Sequence, residues 1–237
     1  MEKPGVNKAV FKYIKSNQTI LSVGCGAAIL EEEAKNKGNY VVGLDISQEN
    51  LNEAKKRIDE TYKIDMNSAN KLPLKKESFD VIVFADVLEH LLQPGRALEI
   101  VKPYLKKTGY VIVSVPNVAN WSVRIPLLFG SFNYTESGIK NKDHLWFFTK
   151  KTAVKMLRES GYSITKVDYN TSLVNLFRES FYGKQITQNA GKGIQNQAKK
   201  SVFRRLLKYI VEAIDGSLTR LFPGLFAFQF IFVAKKD

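Results

Sequence analysis

The stretch from residue 19 to residue 26, Thr-Ile-Leu-Ser-Val-Gly-Cys-Gly, constrains the fold of this chain more than any other. It is an apolar run typical of a β-strand, and it leads directly into a Gly-X-Gly turn at Gly24 and Gly26. A second apolar run ends in Asp45, twenty-one residues after Gly24. A strand, a glycine turn, a helix and a strand tipped by a carboxylate form the nucleotide-binding half of an open α/β sheet. Because that carboxylate can accept hydrogen bonds from both ribose hydroxyls, the pattern predicts a cofactor that contains adenosine.

The rest of the chain alternates strand patterns with helix patterns, which predicts an α/β fold with a mostly parallel sheet covered on both faces. The predicted strands cover residues 19–24, 40–45, 61–64, 79–85, 110–115, 162–169 and 225–234. The predicted helices cover residues 6–17, 28–37, 47–58, 94–106, 149–160 and 201–222. We expect a single domain over residues 1–237, with a helical insertion at 171–223 before the last strand. A strand that arrives after such an insertion could pair antiparallel.

Motifs after the later strands narrow the choice of family. The dinucleotide fingerprint needs a third glycine where this chain has Ile29, which disfavours an NAD-linked oxidoreductase. Asp65-Met66 ends the third strand, Asp86-Val87-Leu88-Glu89-His90 follows the fourth, and Gly109 precedes the fifth. In this order and spacing, the motifs resemble the class I S-adenosylmethionine-dependent methyltransferases. They look closest to the branch that includes ubiquinone-biosynthesis-type O-methyltransferases, and the resemblance covers roughly residues 18–170 and the last strand.

The resemblance implies a Rossmann-like, doubly wound, seven-stranded sheet whose last strand is antiparallel, with S-adenosyl-L-methionine as the cofactor. It also implies a role for each matched residue. Gly24 and Gly26 would border the methionine part of the cofactor. Asp45 would bind the ribose hydroxyls, and Ile46 would pack on the adenine.

The later motifs carry the remaining implied contacts. Asp65 would accept the adenine amino proton, with Met66 supplying backbone and apolar contact. Ala85 and Asp86 would lie under the sulfonium side. Family members that methylate adenine or glutamine amino groups usually carry Asn-Pro-Pro-Tyr or Asp-Pro-Pro-Tyr after the fourth strand. This chain has neither sequence there, so the usual signature of that reaction is missing.

Two positions depart from the family pattern. The family usually has an acid two residues before the first glycine, and this chain has Ser22 there. It usually has a glycine where this chain has Ala28. Ser22 could still hydrogen-bond to the cofactor but brings no charge to its amino group. Both departures keep open the alternative that the chain is a non-catalytic, cofactor-binding scaffold.

The segment at residues 116–148 follows the fifth strand, at the sheet edge where ligands bind in open α/β folds. It is rich in aromatic residues and reads as a substrate lid, although packing over the sheet edge would explain many of those side chains equally well. A hydroxyl acceptor needs a base, and His144 with the preceding Asp143 is the predicted catalytic pair, since an Asp-His contact could raise its basicity. His90 lies beside Glu89 and is expected to pack and hydrogen-bond under the cofactor.

Charge and composition bear on the partners. Residues 1–100 carry 14 basic and 15 acidic side chains, a balance of −1, whereas residues 101–237 carry 22 and 8, a balance of +14. The basic half favours a small-molecule or glycan- or lipid-linked acceptor with anionic character. RNA or protein methylation is the alternative, and no appended RNA-binding module supports it. The single cysteine offers no disulfide framework and no zinc cluster, so we predict no metal.

The predicted helix at 201–222 is amphipathic and has basic residues near its start. It could pack on the sheet or on a second subunit. It could instead lie on a membrane surface, which would bring the active site close to a lipid-linked acceptor. No apolar run reaches the length of a membrane span and the N-terminus lacks a signal-peptide pattern, so we predict a cytoplasmic protein with peripheral membrane contact as an open alternative.

Overall fold

A computed structural model describes residues 6–171 and 217–237 of the chain. Its seven strands form one sheet in the order β3-β2-β1-β4-β5-β7-β6. Only β7 runs antiparallel, and it pairs with β5 on one side and with β6 on the other. The strands are β1 Thr19–Val23, β2 Tyr40–Asp45, β3 Glu60–Lys63, β4 Phe79–Ala85, β5 Leu105–Pro116, β6 Tyr162–Thr171 and β7 Ala227–Lys236. The predicted fold class, a seven-stranded, mostly parallel sheet with an antiparallel last strand, is confirmed.

Helices cover both faces of this sheet. The helices are α1 Lys8–Phe11, α2 Ile29–Lys35, α3 Gln48–Ala54, α4 Pro94–Val101, α5 Trp121–Leu128, α6 Lys150–Glu159 and α7 Pro223–Phe226. Short 3-10 turns follow β4 and α4, at Leu88–His90 and Lys102–Tyr104. Among the residues described, no helix is long and apolar enough to cross a membrane.

Side-chain alternation along the strands builds one hydrophobic core on each face. In β1, Leu21 and Val23 join the core that contains α4 and α6, while Ile20 joins the core that contains α1, α2 and α3. Both β1 and β4 are buried on both faces, as expected for central strands of a parallel sheet. Ser22 is therefore a polar side chain inside an otherwise apolar strand, and it is buried.

Several predicted boundaries differ from the observed ones. The first helix is much shorter than residues 6–17, since it ends at Phe11. The helix predicted for 94–106 ends at Val101, because Pro103 lacks the backbone N–H that a continuing helix needs. The fifth strand begins at Leu105 rather than residue 110. The last strand covers 227–236 instead of 225–234, because Pro223 starts a short helix just before it.

The structure describes the lid segment but little of the insertion before the last strand. The lid segment at 116–148 contains α5, which we did not predict, capped by Asn120 through a hydrogen bond from the backbone N–H of Ser122. Most of the predicted insertion at 171–223 and of the predicted helix at 201–222 lies outside the described residues.

Candidate active site

The candidate site lies at the carboxyl edge of the sheet, where the strand order reverses between β1 and β4. Open α/β sheets bind ligands in the crevice at such a switch point. The turn after β1 and the turn after β4 meet here, because Val87 packs against the backbone of Gly24. The predicted cofactor residues lie at or just after the carboxyl ends of β1, β2, β3 and β4, so the topology gathers them at one edge.

The two glycines of the turn have left-handed backbone but different surroundings. Gly24 has φ +68°, and a Cβ there would lie 2.6 Å from Cγ2 of Val87. Gly26 has φ +53°, and a Cβ there would meet no atom within 4 Å. Glycine at position 24 is thus required by a protein contact, whereas position 26 faces open space that a ligand can use.

Asp45, at the end of β2, is buried and held in place by backbone donors. Its carboxylate accepts hydrogen bonds from the N–H of Gly26 at 2.8 Å and from the N–H of Ser47 at 2.8 Å. The side-chain amide of Asn50 is a third, longer donor at 3.4 Å, and since a carboxylate has about four acceptor positions, this one retains capacity for a hydroxyl donor. The next residue, Ile46, is 60% exposed, which leaves an apolar side chain uncovered beside the carboxylate.

Asp65 and Met66 follow β3. The Asp65 carboxylate accepts hydrogen bonds from the N–H of Asn67 at 2.9 Å and from the Ser68 hydroxyl at 3.2 Å. Met66 is buried in the core beside it. The contacts to a nucleobase that the resemblance implies for Asp65 and Met66 stay predictions.

Ala85 ends β4, and Asp86 follows it. Asp86 has φ +58°, an uncommon conformation for a non-glycine residue. Its carboxylate accepts hydrogen bonds from the Ser114 hydroxyl at 3.1 Å and from the Gln229 side-chain amide. Gln229 in turn accepts a hydrogen bond from the side chain of Asn7 at 3.0 Å, so this network joins the start of the described chain to β4, β5 and β7. The residue as a whole is exposed, whereas its carboxyl group is enclosed by these partners, and burial raises the pKa of Asp86 above its ordinary value.

Ser22 lies beneath the glycine turn and contacts a residue that we did not predict. Its hydroxyl donates a hydrogen bond to Oε1 of Glu31 in the first turn of α2, at 2.6 Å, and both residues are buried. Burial raises the pKa of Glu31 to about 7. A signal for Glu31 existed in the sequence, since it adjoins Leu30 and precedes Ala34 by three residues, on the apolar face of the helix. Cys25 is also buried, and burial raises the pKa of its thiol to about 12, which does not favour a nucleophile.

Glu89, His90 and His144 form the second cluster at this edge. Nε2 of His144 lies 4.0 Å from Oε1 of Glu89, and the two imidazole rings meet edge to face with centroids 4.8 Å apart. Nδ1 of His144 lies 3.1 Å from the Ile139 carbonyl oxygen. Because a carbonyl can only accept, Nδ1 carries the proton and Nε2 of a neutral ring presents its lone pair towards Glu89.

The carboxyl group of Glu89 is buried at this edge without hydrogen-bond donors to its oxygens among the residues described. Within the described part of the chain, both of its side-chain oxygens are buried and have no hydrogen-bond partner. Burial, followed by the charge of Asp86, raises the pKa of Glu89 well above its ordinary value. Its backbone carbonyl accepts hydrogen bonds from the N–H groups of Leu145 and Trp146, at 2.8 and 3.1 Å. The end of the lid segment is thereby fixed to the turn after β4.

The predicted pairing of Asp143 with His144 differs from the observed geometry. Asp143 is exposed, and its backbone carbonyl, not its carboxylate, accepts a hydrogen bond from Nδ1 of His90 at 3.0 Å. Burial and then the neighbouring His90 lower the pKa of His144 overall, and they outweigh the charge of Asp143, which raises it as expected. Glu89 is instead the carboxylate beside Nε2 of His144, and the catalytic role of Asp143 and His144 stays a prediction.

The same cluster has donors suited to a cation. One ligand atom each from Glu89, His90 and His144 lies within 4.8 Å of the others. Imidazole nitrogen and carboxylate oxygen together suit several divalent metals. The prediction of no metal rested on the single cysteine, and this set contains no cysteine.

The lid segment exposes a large apolar surface beside the cluster. Phe132 packs edge to face on Phe147 and on Tyr134. The exposed apolar side chains of the segment are Ile125, Leu127, Leu128, Phe129, Tyr134, Leu145 and Trp146. Exposed apolar groups at this density are typical of a binding surface rather than of a solvated loop.

Comparisons with known proteins agree with this arrangement. A family model described as "Methyltransferase domain" matches residues 4–167. The ubiquinone biosynthesis O-methyltransferase of Bradyrhizobium diazoefficiens is 30% identical over 151 residues, which cover 62% of this chain and 59% of that protein. The enzyme of the same name from Hydrogenovibrio crunogenus is 25% identical over 183 residues, which cover 71% and 75%. The match to the first relative thus spans about three fifths of its length.

Solved structures give the same fold. The crystal structure of a SAM-dependent methyltransferase from Archaeoglobus fulgidus superposes with a TM-score of 0.60, at 17% identity, over 97% of this chain and 90% of that one. At this identity the likeness shows the fold alone. The family model covers more than half of the chain and shows that it belongs to the S-adenosylmethionine-dependent methyltransferases, and the similarity to ubiquinone biosynthesis O-methyltransferases agrees with this.

Proposed function

We propose that the chain is a methyltransferase that transfers a methyl group from S-adenosylmethionine to an oxygen of a small-molecule or glycan- or lipid-linked acceptor. The buried Glu89–His144 pair carries this proposal. An oxygen acceptor must lose a proton, and this pair offers an imidazole nitrogen with a defined tautomer beside a carboxylate. Two relatives of the chain are named O-methyltransferases, which also favours oxygen as the atom that accepts the methyl group.

The residues at the sheet edge fit the cofactor. The space beside Gly26 is open, Asp45 retains acceptor capacity, and the exposed side chain of Ile46 offers an apolar surface for a ring. When bound, the cofactor supplies an electrophilic methyl group and its own leaving group, so the protein mainly orients the acceptor and excludes water. These residues and Ser22, Gly24, Asp65, Met66, Ala85 and Asp86 make up the proposed cofactor site.

In this proposal His144 is the base. Its Nδ1 proton is held by the Ile139 carbonyl, which leaves Nε2 to accept the proton of the acceptor hydroxyl. Glu89 lies 4.0 Å from the same nitrogen, and its ionised form stabilises the imidazolium by charge attraction. Asp143 keeps a positioning role only, through the backbone carbonyl that holds His90.

The segment at 116–148 is the proposed lid over the acceptor. Its two ends are tied down, since the N–H of Val118 donates to the Phe148 carbonyl and the N–H of Leu145 donates to Glu89. Its exposed apolar side chains favour an acceptor with an apolar part over RNA. The basic balance of residues 101–237 favours anionic character in the acceptor, and peripheral membrane contact through 201–222 stays a prediction.

The first test is binding. We expect S-adenosylmethionine and S-adenosylhomocysteine to bind in calorimetry, NAD not to bind, and Asp45→Ala to abolish binding. If the wild-type chain binds neither sulfur ligand, the methyltransferase proposal is wrong.

The second test is turnover, with hydroxylated aromatic, glycan and lipid-linked acceptors, in the presence and absence of a chelator because the cluster could hold a cation. His144→Gln should lower kcat about 10²–10⁴-fold and leave S-adenosylhomocysteine affinity unchanged. His90→Gln is the matched control and should lower kcat far less. A cofactor-binding protein with no turnover on any acceptor would favour the scaffold alternative.

A further inference from the structure

The pair formed by Ser22 and Glu31 lies directly beneath the glycine turn. Ser22 is the second-last residue of β1, between Gly43 of β2 and Val83 of β4. Glu31 lies in the first turn of α2, which begins five residues after the first glycine of the turn, and only 5% of it is exposed. The Ser22 hydroxyl donates to Oε1 of Glu31 at 2.6 Å. The pair therefore places a carboxylate under the loop that we assign to the cofactor.

This carboxylate has no countercharge within the described residues. The groups that act on it electrostatically are the Ser22 hydroxyl, its own backbone N–H and the like-charged Asp45. Cys25, on the same turn, also lies close enough to be influenced by both acids. The next residue of the helix differs, because Oε2 of Glu32 lies 3.3 Å from Nε of Arg57. A buried carboxylate without a cation is costly, and proteins retain such a group mainly where it has a partner or a function.

We propose that Glu31 is the countercharge for the α-ammonium group in the methionine part of the bound cofactor, with the Ser22 hydroxyl orienting its carboxylate. The inference rests on the proposed function, since it needs S-adenosylmethionine in the cleft. The ammonium is the cation that this ligand brings to the end of the site bordered by Gly24 and Gly26. An ionised carboxylate that gains a cation is stabilised at the moment of binding, so Glu31 contributes affinity and orientation rather than chemistry. It is a positioning residue for the methyl group.

The alternative is that Ser22 and Glu31 only fasten α2 to β1. The two ideas differ in which ligands sense the change. S-adenosylhomocysteine carries the α-ammonium group, whereas 5′-methylthioadenosine keeps the adenosine and the thioether but lacks the amino-acid part. If Glu31 is a countercharge, removing its charge lowers the affinity for S-adenosylhomocysteine alone. If Glu31 only fastens α2 to β1, the same change affects the affinities for both ligands or for neither.

The experiment measures both ligands by calorimetry with wild type, Glu31→Gln and the control Glu33→Gln, which makes the same charge change on the same helix. We expect Glu31→Gln to weaken S-adenosylhomocysteine at least about tenfold and to leave 5′-methylthioadenosine within about twofold, because charge-assisted contacts contribute roughly this much. Glu33→Gln should change neither. Equal effects of Glu31→Gln on both ligands, or no effect on either, overturn the inference. Failure of the wild type to bind either ligand would instead refute the proposed function.

A measurement on the unmodified protein covers the case in which Glu31→Gln does not fold. If the ammonium pairs with Glu31, S-adenosylhomocysteine binding near pH 7 must release protons, and 5′-methylthioadenosine binding must not. Calorimetry in two buffers of different ionisation enthalpy detects this difference. Asp45 and Cys25 also face the region, but both ligands carry the ribose that meets Asp45, so the comparison cancels their contributions. Equal proton release by the two ligands overturns the inference.

Discussion

The close packing of Val87 on Gly24 gives a quantitative prediction for the glycine turn. Gly24→Ala forces an alanine into left-handed backbone, which costs about 1–2 kcal/mol, and brings its Cβ to 2.6 Å from Val87. Overpacking of this kind costs about 1–3 kcal/mol more. Gly26→Ala pays the left-handed cost alone, because no atom lies within 4 Å of its Cβ. Both substitutions reduce the conformational entropy of the unfolded chain equally. The difference between their free energies of unfolding therefore measures the cost of the overlap with Val87.

We therefore expect the free energy of unfolding to fall about 1–3 kcal/mol further in Gly24→Ala than in Gly26→Ala. Urea unfolding followed by circular dichroism measures both, without ligand. Val87→Ala removes the two methyl groups that cause the overlap. In that background, Gly24→Ala should cost no more than Gly26→Ala does in the wild type.

The reasoning is refuted if the two glycine variants lose the same stability to within about 0.5 kcal/mol, or if Val87→Ala does not rescue Gly24→Ala. A second readout separates structure from binding. In Gly26→Ala, the free energy of S-adenosylhomocysteine binding should change more than the free energy of unfolding does, because the added methyl group lies in the open space of the proposed site. A fully retained affinity would place the ligand elsewhere.

Three further predictions concern stability. Burial raises the pKa of Glu31 to about 7, so the free energy of unfolding of the unliganded protein should fall as the pH rises from about 4.5 through about 7. This fall should be on the order of 2–3 kcal/mol between pH 5 and pH 8, and Glu31→Gln should remove it. Parallel pH profiles of the two proteins in urea unfolding would contradict this. Ala28 has φ +59°, so in Ala28→Gly the relief of backbone strain should offset the lost burial of a methyl group to within about 1 kcal/mol. Ala34 lies inside the helix, and Ala34→Gly should lower the free energy of unfolding by about 2 kcal/mol. Equal losses of stability for the two variants in thermal unfolding would contradict this prediction. Thr149→Ala removes the capping box of α6 and should cost about 1 kcal/mol in the same assay, and an unchanged melting temperature would show that the cap does not matter.

The buried strands could be predicted because their signals are local. The second and fourth strands begin and end at the predicted residues, 40–45 and 79–85. Their apolar runs lie between turn residues, and nothing far away in the sequence is needed to recognise them. Thr149 as an N-cap and the helix that follows it were predicted on the same grounds, and the observed cap confirms them.

The start of β5 could not be read in this way. Residues 106–108 are polar, and Lys106 joins the strand while its ammonium group pairs with Asp80 at 2.9 Å. The register between β4 and β5 shifts just there, between Phe79 and Val81. Such an irregularity depends on how two strands pair, and a single strand's pattern does not contain it.

The acid–base cluster shows the same limit more sharply. Asp143 and His144 are neighbours in sequence, yet one is exposed and the other is buried. The partner of His144 is Glu89, fifty-five residues earlier, brought there when the lid segment bonds to the turn after β4. The sequence could nominate the histidine by its type and its place after a strand, but the identity of its carboxylate depends on long-range packing.

The two departures at Ser22 and Ala28 had supported the scaffold alternative, and the structure changes their weight. Ala28 adopts the left-handed conformation that a glycine would favour there, so the turn closes in spite of the extra methyl group. The charge missing at Ser22 is present in space, because Glu31 brings a buried carboxylate to its hydroxyl from the facing helix. The motif along β1 lacks a carboxylate, whereas the folded chain brings one within 2.6 Å of the Ser22 hydroxyl. Both departures are therefore compatible with a working cofactor site, and the paired ligand experiment on Glu31 decides whether that carboxylate is used.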